Sequence, residues 1–242
     1  MNSLCCRAML LPLLVAFPLA IATAEPPSQR LDLSRWKLTL PVDTDRQGSP
    51  DEITWPALES FINQQCFFAD SQGSGVVFRA PCGGIPTKGS RYPRCELREM
   101  QNSKTEAAWS TDEDQPHTLS LRLAVTNLPA AKKHVVCAQI HDADDDVLMV
   151  RLEDKKLFIE RPGHSDVRLD SNYALGSPFD LKIQVGAGRI CVWHNNEEKL
   201  DWQSSRSGCY FKAGCYTQSN LQAGDTADAY GEVLIHSLVL VP

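Results

Sequence analysis

Hydrophobic and polar residues alternate along most of the chain, and a period of two is typical of half-buried β-strands. The segments that show it most clearly are 117–125, 147–160 with a turn at 153–156, 179–193 with a turn at 186–188, and 232–241. Only segment 55–61 has a helical pattern, and it is short. Many short strands and almost no helix predict an all-β, antiparallel sandwich or barrel. We expect a jelly roll, because its bent sheets leave one concave face open as a groove.

The first 24 residues have the pattern of a secretory signal peptide. A weakly basic start ends at Arg7, an apolar run follows over 8–22, and Ala22-Thr23-Ala24 has the small-x-small form of a cleavage site. The apolar run is too short for a membrane span. We therefore expect a secreted or periplasmic protein without a membrane association, whose residues 25–242 form a single domain.

Charge and cysteine content narrow the class of ligand. The formal net charge of -6 argues against nucleic acid as a partner. Five basic residues nevertheless fall within positions 79–98, namely Arg79, Lys88, Arg91, Arg94 and Arg98. Such a patch fits an anionic ligand, although solvated loop and edge charges would give the same pattern. Nine cysteines, less Cys5 and Cys6 of the signal segment, leave seven, and their spacing does not match a zinc site.

Three predicted strands carry an apolar face and, opposite it, a face of ionisable or amide groups. In the segments RCELRE, HVVCAQIH and YFKAGCYTQ the polar faces hold Arg94, Glu96 and Arg98; Gln139 and His141; and Tyr210, Lys212, Tyr216 and Gln218. Val136, Ala138 and Ile140 are expected on the apolar face, and Cys137 departs from the alternation, which suggests a local bend. If the three strands share one sheet, these groups form the acid, base and anion-binding inventory of an active site.

Each element by itself also has a purely structural interpretation. His141 could be a hydrogen-bonded structural histidine, and Arg94, Glu96 and Arg98 could form a surface ion-pair ladder. Tyr210 and Tyr216 could pack across strands. The combination, rather than any single residue, indicates a catalytic face.

RCELRE, QIH and YFKAGCYTQ, in this order, resemble the three motifs of the alginate lyases of polysaccharide lyase family 7. YPRCELRE from Tyr92, WKLTLPV from Trp36 and VVFRAP from Val76 extend the resemblance over nearly the whole mature chain. The chain departs from the family pattern at Cys95, where a small hydroxyl residue is usual. Cys215 occupies a variable position, and both cysteines are expected to point into the core.

The resemblance implies β-elimination on alginate, an anionic polysaccharide, by a monomer that needs no metal or cofactor. Arg94 and Gln139 would neutralise the uronate carboxylate, His141 would act as the base for guluronate, and Tyr216 would act as the acid, and as the base for mannuronate. Arg98, Lys212 and Gln218 would bind neighbouring uronates, Glu96 would orient the two arginines, and Tyr210 would border the groove. The isoleucine of QIH resembles the motif version that accompanies guluronate-containing substrates.

Other functions remain open at the level of the sequence. A non-catalytic polyuronate-binding module, or a lyase for another polyuronate such as glucuronan, would use a similar face. A glycoside hydrolase is disfavoured, because hydrolysis requires two carboxyl groups across a cleft and this face offers Glu96 alone. The carboxylates of 142–146 resemble the start of a calcium loop, but the glycine and the distal glutamate are missing, so we expect a solvated loop.

Overall fold

The computed structural model describes residues 25–241, and the predicted signal segment 1–24 lies outside the described residues. The strands are β1 (Trp36–Thr39), β2 (Glu52–Thr54), β3 (Phe67–Ala69), β4 (Val76–Pro81), β5 (Arg94–Glu99), β6 (His117–Asn127), β7 (His134–His141), β8 (Asp146–Glu153), β9 (Lys156–Glu160), β10 (Val167–Asp170), β11 (Phe179–Gly186), β12 (Arg189–His194), β13 (Glu197–Gln203), β14 (Tyr210–Thr217) and β15 (Tyr230–Val241). Short 3₁₀ turns cover Pro27–Gln29, Ala57–Glu59 and Leu221–Ala223. Among the described residues, no helix is long and apolar enough to cross a membrane.

The strands of residues 25–241 form two antiparallel sheets that pack as a β-sandwich, which confirms the predicted all-β jelly roll. The eight-stranded sheet has the order β10-β9-β8-β7-β14-β5-β1-β2, and the seven-stranded sheet has the order β13-β12-β11-β6-β15-β4-β3. Strands β7, β14 and β5 are neighbours at the centre of the larger sheet. The three polar faces of the sequence therefore belong to one surface.

Most predicted strands and turns are confirmed. The hairpin β11–β12 turns at Ala187 and Gly188, which both have positive φ, at 50° and 73°. The predicted helical segment 55–61 contains only the 3₁₀ turn Ala57–Glu59. Strand β13 escaped prediction because its sequence, EEKLDWQ, is mostly exposed and lacks an apolar alternation.

The core lies between the sheets and is filled from both inner faces. Leu119, Leu121 and Leu123 of β6 meet the inner face of the larger sheet, where Phe211 and Ala213 of β14 are fully buried. Cys95 and Cys215 also belong to this core, as their parity predicts. All seven cysteines of the described residues are free thiols.

A β-bulge in β7 corrects the predicted face of Val136. The pairing of β7 with β8 shifts between Val136 and Ala138, so Cys137 is the extra residue of the bulge. Cys137 joins Ala138 and Ile140 in the core, whereas Val136 lies outside the core cluster and pairs with Tyr216. The bend expected at Cys137 is thus present, and it turns Val136 to the groove side.

Candidate active site

The register of β14 against its two neighbours assembles the predicted site. On one side Lys212 pairs with Arg98 and Tyr216 pairs with Arg94. Adjacent strands lie about 4.8 Å apart, so side chains on one face of paired residues are direct neighbours. On the other side of β14, the pairs are Lys212 with Gln139 and Tyr210 with His141.

Gly214 allows β14 and β5 to approach closely at the centre of the site. Its φ is 138°, and a Cβ there would lie 2.7 Å from the carbonyl oxygen of Cys95 and 2.9 Å from Cα of Glu96. Only glycine fits this position without displacing backbone. The pairing of β14 with β7 shifts between Ala213 and Tyr216.

Glu96 is the hub of a buried polar cluster. Its carboxylate accepts hydrogen bonds from Arg94 Nη1 at 2.9 Å and from Lys212 Nζ at 2.7 Å, and it accepts a further one from Gln139 Nε2. Burial by itself would raise the pKa of Glu96, but the charges of Lys212 and Arg94 and the hydrogen bonds to Lys212 and Gln139 hold the pKa below its usual value. Glu96 is therefore a carboxylate that fixes three donors in place. We refer to Arg94, Glu96, Gln139 and Lys212 as the central cluster.

The central cluster carries one more positive than negative charge. Two cations, Arg94 and Lys212, face one carboxylate, Glu96. Burial lowers the pKa of Lys212 to about 8, against the attraction of Glu96, and the nearby charge of Arg94 adds to the lowering. An additional anion beside these groups would restore neutrality and hold Lys212 in its charged form. Gln139 is 1% exposed and donates one N–H to Glu96, which leaves its second N–H as a donor.

The hydrogen bond of His141 to the backbone defines the tautomer of its ring. Its Nδ1 lies 2.7 Å from the carbonyl oxygen of Asp142, and because a carbonyl only accepts, Nδ1 carries the proton and Nε2 has the free lone pair. Burial lowers the pKa of His141; the carbonyl of Asp142 opposes this effect, and the charge of Lys212 adds to it. Burial therefore favours the neutral form of the ring.

The ring of Tyr210 packs directly against His141. Its ring stacks on His141 with centroids 5.4 Å apart and an interplanar angle of 22°. The guanidinium of Arg98 covers the Tyr210 ring, with Cζ 3.7 Å from the centroid. Tyr210 is thus held between the guanidinium of Arg98 and the imidazole of His141.

Tyr216 presents its phenol to a serine that the sequence reasoning missed. The hydroxyl oxygens of Tyr216 and Ser90 are 3.1 Å apart, and Arg94 Cζ lies 3.9 Å from the centroid of the phenol ring. Ser90 Oγ also accepts from Tyr92 N–H at 3.2 Å and from Arg94 Nη2 at 3.4 Å. Ser90 lies in the loop before β5, where periodicity gives no signal. Its place two residues before the YPRCELRE motif was the available signal.

Arg98 and Gln218 lie beside the central cluster rather than within it. Arg98 forms its ion pair with Glu106 at 3.0 Å, whereas Arg94 pairs with Glu96 at 2.9 Å. Glu106 lies in the loop after β5, where strand alternation does not predict the position of a side chain. Gln218 accepts from Arg151 Nη1 at 3.2 Å.

A group of carboxylates with the spacing of a cation site lies away from the central cluster. Among residues 25–241, Asp43, Asp45 and Asp51 place ligand atoms close together, and the segment 142–146 forms no such group. Asp43 accepts instead from the backbone N–H of Gly48 at 2.8 Å. Asp142 likewise accepts from backbone N–H groups of its own loop. These carboxylates are used in turns.

Comparison with known proteins gives a consistent assignment. A family model described as alginate lyase matches residues 31–241. The structure of alginate lyase AlgAT5 from polysaccharide lyase family 7 is similar with a TM-score of 0.86 and 48% identity, covering 90% of this chain and 99% of that chain. The alginate lyase from Corynebacterium sp. is similar with a TM-score of 0.84 and 39% identity, covering 90% and 98% of the two chains. An alginate lyase of Klebsiella pneumoniae is 40% identical over 80 residues, and this match spans 33% of this chain and only 26% of that protein.

Proposed function

The chain belongs to the alginate lyase family whose model spans residues 31–241, and from this premise we propose that it cleaves the 1,4-glycosidic bonds of alginate by β-elimination. The observation that carries the proposal is the central cluster, with its excess positive charge, lying between His141 and Tyr216. The products carry an unsaturated uronate at the new non-reducing end. Guluronate-containing blocks are the favoured substrates.

Neutralisation of the substrate carboxylate is the first requirement of this reaction. Removal of the C5 proton develops negative charge beside a group that is already an anion, and preorganised donors at developing charge are usually the largest catalytic contribution. Arg94 supplies a charge-assisted donor, and Gln139 supplies its second N–H without adding a competing base. Glu96 holds both donors in place before the substrate arrives.

Proton transfer then involves the two groups on either side of the cluster. His141 Nε2 takes the C5 proton of guluronate, because its Nδ1 is engaged by the Asp142 carbonyl. Electrons of the broken C5–H bond form the C4–C5 double bond and expel the 4-O-linked sugar. Tyr216 gives its phenolic proton to the leaving oxygen and serves as both base and acid for mannuronate. Arg98, Lys212 and Gln218 contact neighbouring uronates.

The wider setting follows from the same proposal. The partner is the anionic polysaccharide itself, the protein acts as a monomer, and the predicted signal segment 1–24 directs it out of the cytoplasm. The face described above supplies base, acid and carboxylate donors from its own side chains, so the proposed reaction uses neither metal nor cofactor.

The test is an activity assay on alginate, polymannuronate, polyguluronate and glucuronan, with the ultraviolet absorbance of the new conjugated double bond as the readout. We expect absorbing products from alginate, with the highest rate on guluronate-containing blocks. A chain that binds alginate and releases no such product is a binding module, and preferential cleavage of glucuronan would reassign the substrate.

Variants of the carboxylate donors test the role of the cluster. Arg94→Ala and Gln139→Ala are expected to lower turnover far more than a matched Arg122→Ala, which removes an arginine paired with Asp180 on the other sheet. Near-normal turnover in either cluster variant would place carboxylate neutralisation elsewhere.

A further inference from the structure

The carboxylate of Glu106 forms ion pairs with two cations beside the central cluster. Lys37 of β1, Arg98 of β5 and Lys212 of β14 are register partners on three neighbouring strands, so the side chains follow one another at the strand spacing of about 4.8 Å. Glu106 reaches over this row from the loop after β5. Its two oxygens lie 2.7 Å from Lys37 Nζ and 3.0 Å from Arg98 Nη2. We refer to Lys37 and Arg98 as the flanking cations.

The flanking cations differ from the central cluster in their charge balance. Lys37 also pairs with Glu52 at 2.8 Å, so two cations face two carboxylates, Glu52 and Glu106. The side chain of Glu106 is 44% exposed, whereas those of Lys37 and Arg98 are 12% and 23% exposed. Glu106, which bridges the two cations, is thus more exposed to solvent than either of them. Removal of the Glu106 charge would leave Lys37 and Arg98 facing Glu52 alone, with an excess of one positive charge as in the central cluster.

We propose that Glu106 is a specificity-determining residue, because its carboxylate holds the position at which the flanking cations would bind the carboxylate of the uronate next to the cleaved bond. This inference rests on the proposed polyuronate substrate. A polyuronate carries one carboxylate on each sugar, and the side chain of Glu106 offers the same group from within the protein. Binding of a uronate on this side of the cluster therefore requires Glu106 to leave both cations.

The expected magnitude follows from the ion pairs that must break. Ion pairs at the surface are individually weak, and two of them together correspond to about two- to thirtyfold in affinity. Glu106→Gln should therefore lower KM for long alginate chains by about two- to thirtyfold. KM should change more than turnover, because Glu106 pairs with Lys37 and Arg98 and with no member of the central cluster. Added salt should reduce the gain, since it screens charges at the surface.

Glu113→Gln is the matched control. Glu113 has a side chain that is 45% exposed and pairs with His117 of the other sheet, so its substitution removes the same charge at the same exposure outside the groove. KM and turnover are measured for both variants on alginate oligosaccharides of increasing length. The dissociation constant of the same oligosaccharides, measured by calorimetry, should follow the same pattern whether or not bonds are cleaved.

The gain from Glu106→Gln should appear at one oligosaccharide length, persist in longer chains, and be missing in Glu113→Gln. An equal gain in both variants, a gain independent of length, or a weaker affinity in Glu106→Gln would overturn the inference. Weaker affinity would mean that Glu106 orients the flanking cations for binding. A wild-type protein that binds these oligosaccharides without producing unsaturated ends would refute the proposed reaction and leave the comparison of the two variants intact.

Discussion

Glu96→Gln is the substitution that most directly probes how the central cluster is held together. It keeps the shape of the side chain and an oxygen that Gln139 can donate to, but it removes the negative charge. The carboxylate is fully buried, and the side chains of its partners Arg94 and Lys212 are only 9% and 11% exposed. The variant would therefore bury two cations without a counter-charge.

The cost can be worked from this burial. Removing one partner of a buried ion pair costs about 3–5 kcal/mol, because the remaining charge is desolvated and unpaired. Glu96 raises the pKa of Lys212, which burial lowers to about 8, so the variant should have a still lower Lys212 pKa. Loss of the Lys212 proton would relieve part of the cost. We expect the free energy of unfolding to fall by about 3 kcal/mol near neutral pH.

The sign of the pH dependence provides a second, independent check. A lysine with a depressed folded-state pKa leaves the unfolded chain with more bound protons, so stability rises with pH through the range between the two values. In the wild type this range begins at about 8, whereas in Glu96→Gln it begins lower. The stability difference between the two proteins should therefore shrink as the pH rises toward 8.

Urea unfolding of both proteins across this pH range, analysed by linear extrapolation, measures the effect. Glu113→Gln, which removes an exposed carboxylate, should change stability by no more than about 0.5 kcal/mol. A loss below about 1 kcal/mol in Glu96→Gln, or a loss that does not depend on pH, would refute the account of Glu96 as the counter-charge of a buried cluster.

Three further predictions concern the groups around the cluster. Tyr210→Leu should lower turnover on guluronate and shift the pH–rate profile, because His141 loses the ring that stacks on it. Tyr210→Phe should keep the wild-type turnover and pH–rate profile. Equal effects of the two variants would mean that the phenol oxygen, and not the ring, supports His141. Ser90→Ala should lower turnover with little change in KM, measured on homopolymeric blocks, and an unchanged rate would remove Ser90 from the positioning of Tyr216. Burial raises the pKa of Cys66 and Cys82 to about 11 and that of Cys137 and Cys209 to about 12. Because these folded-state pKa values lie above the ordinary cysteine value of 9.0, the stability contributed by the protonated thiols is complete below that pH and is lost as the pH rises toward 11 and 12. Unfolding measurements that show no loss of stability at alkaline pH would contradict the burial of these thiols.

The polar face was predictable because strand parity depends only on local geometry. Alternation placed Arg94, Gln139, Lys212 and Tyr216 on one kind of face before any contact was known. Strand parity does not predict which strands are neighbours, because that depends on the topology of the sheet. The order β7-β14-β5 in the structure makes the three strands adjacent.

Parity failed where the backbone departs from regular pairing. Alternation assigns Val136 to the core, but the bulge at Cys137 adds a residue and exchanges the two faces beyond it. The irregular residue itself was visible in the sequence as an apolar side chain at a polar position. Which of Val136 and Cys137 turns toward the core depends on the pairing of β7 with β8 and β14, which the sequence does not show.

Partners contributed by loops were also beyond the sequence. Ser90 and Glu106 lie outside regular strands, so no period relates them to Tyr216 or Arg98. Arg98 pairs with Glu106 rather than Glu96, because the loop after β5 places Glu106 between Arg98 and Lys37. Ion-pair partners in a charged surface are set by three-dimensional placement, which residue spacing alone does not specify.

Tyr216→Phe tests most directly whether the protein cleaves a polyuronate by β-elimination with Tyr216 as the proton donor. The change removes the phenol oxygen and keeps the ring beneath Arg94, so urea unfolding should show a nearly unchanged stability. Wild-type protein and variant are compared on polymannuronate and polyguluronate by the absorbance of the unsaturated product. We expect the wild type to form this product and the variant to be slower by about 10²–10⁴-fold on both blocks, as for loss of a general acid. A variant that keeps about a tenth of the wild-type rate or more on either block would contradict the account.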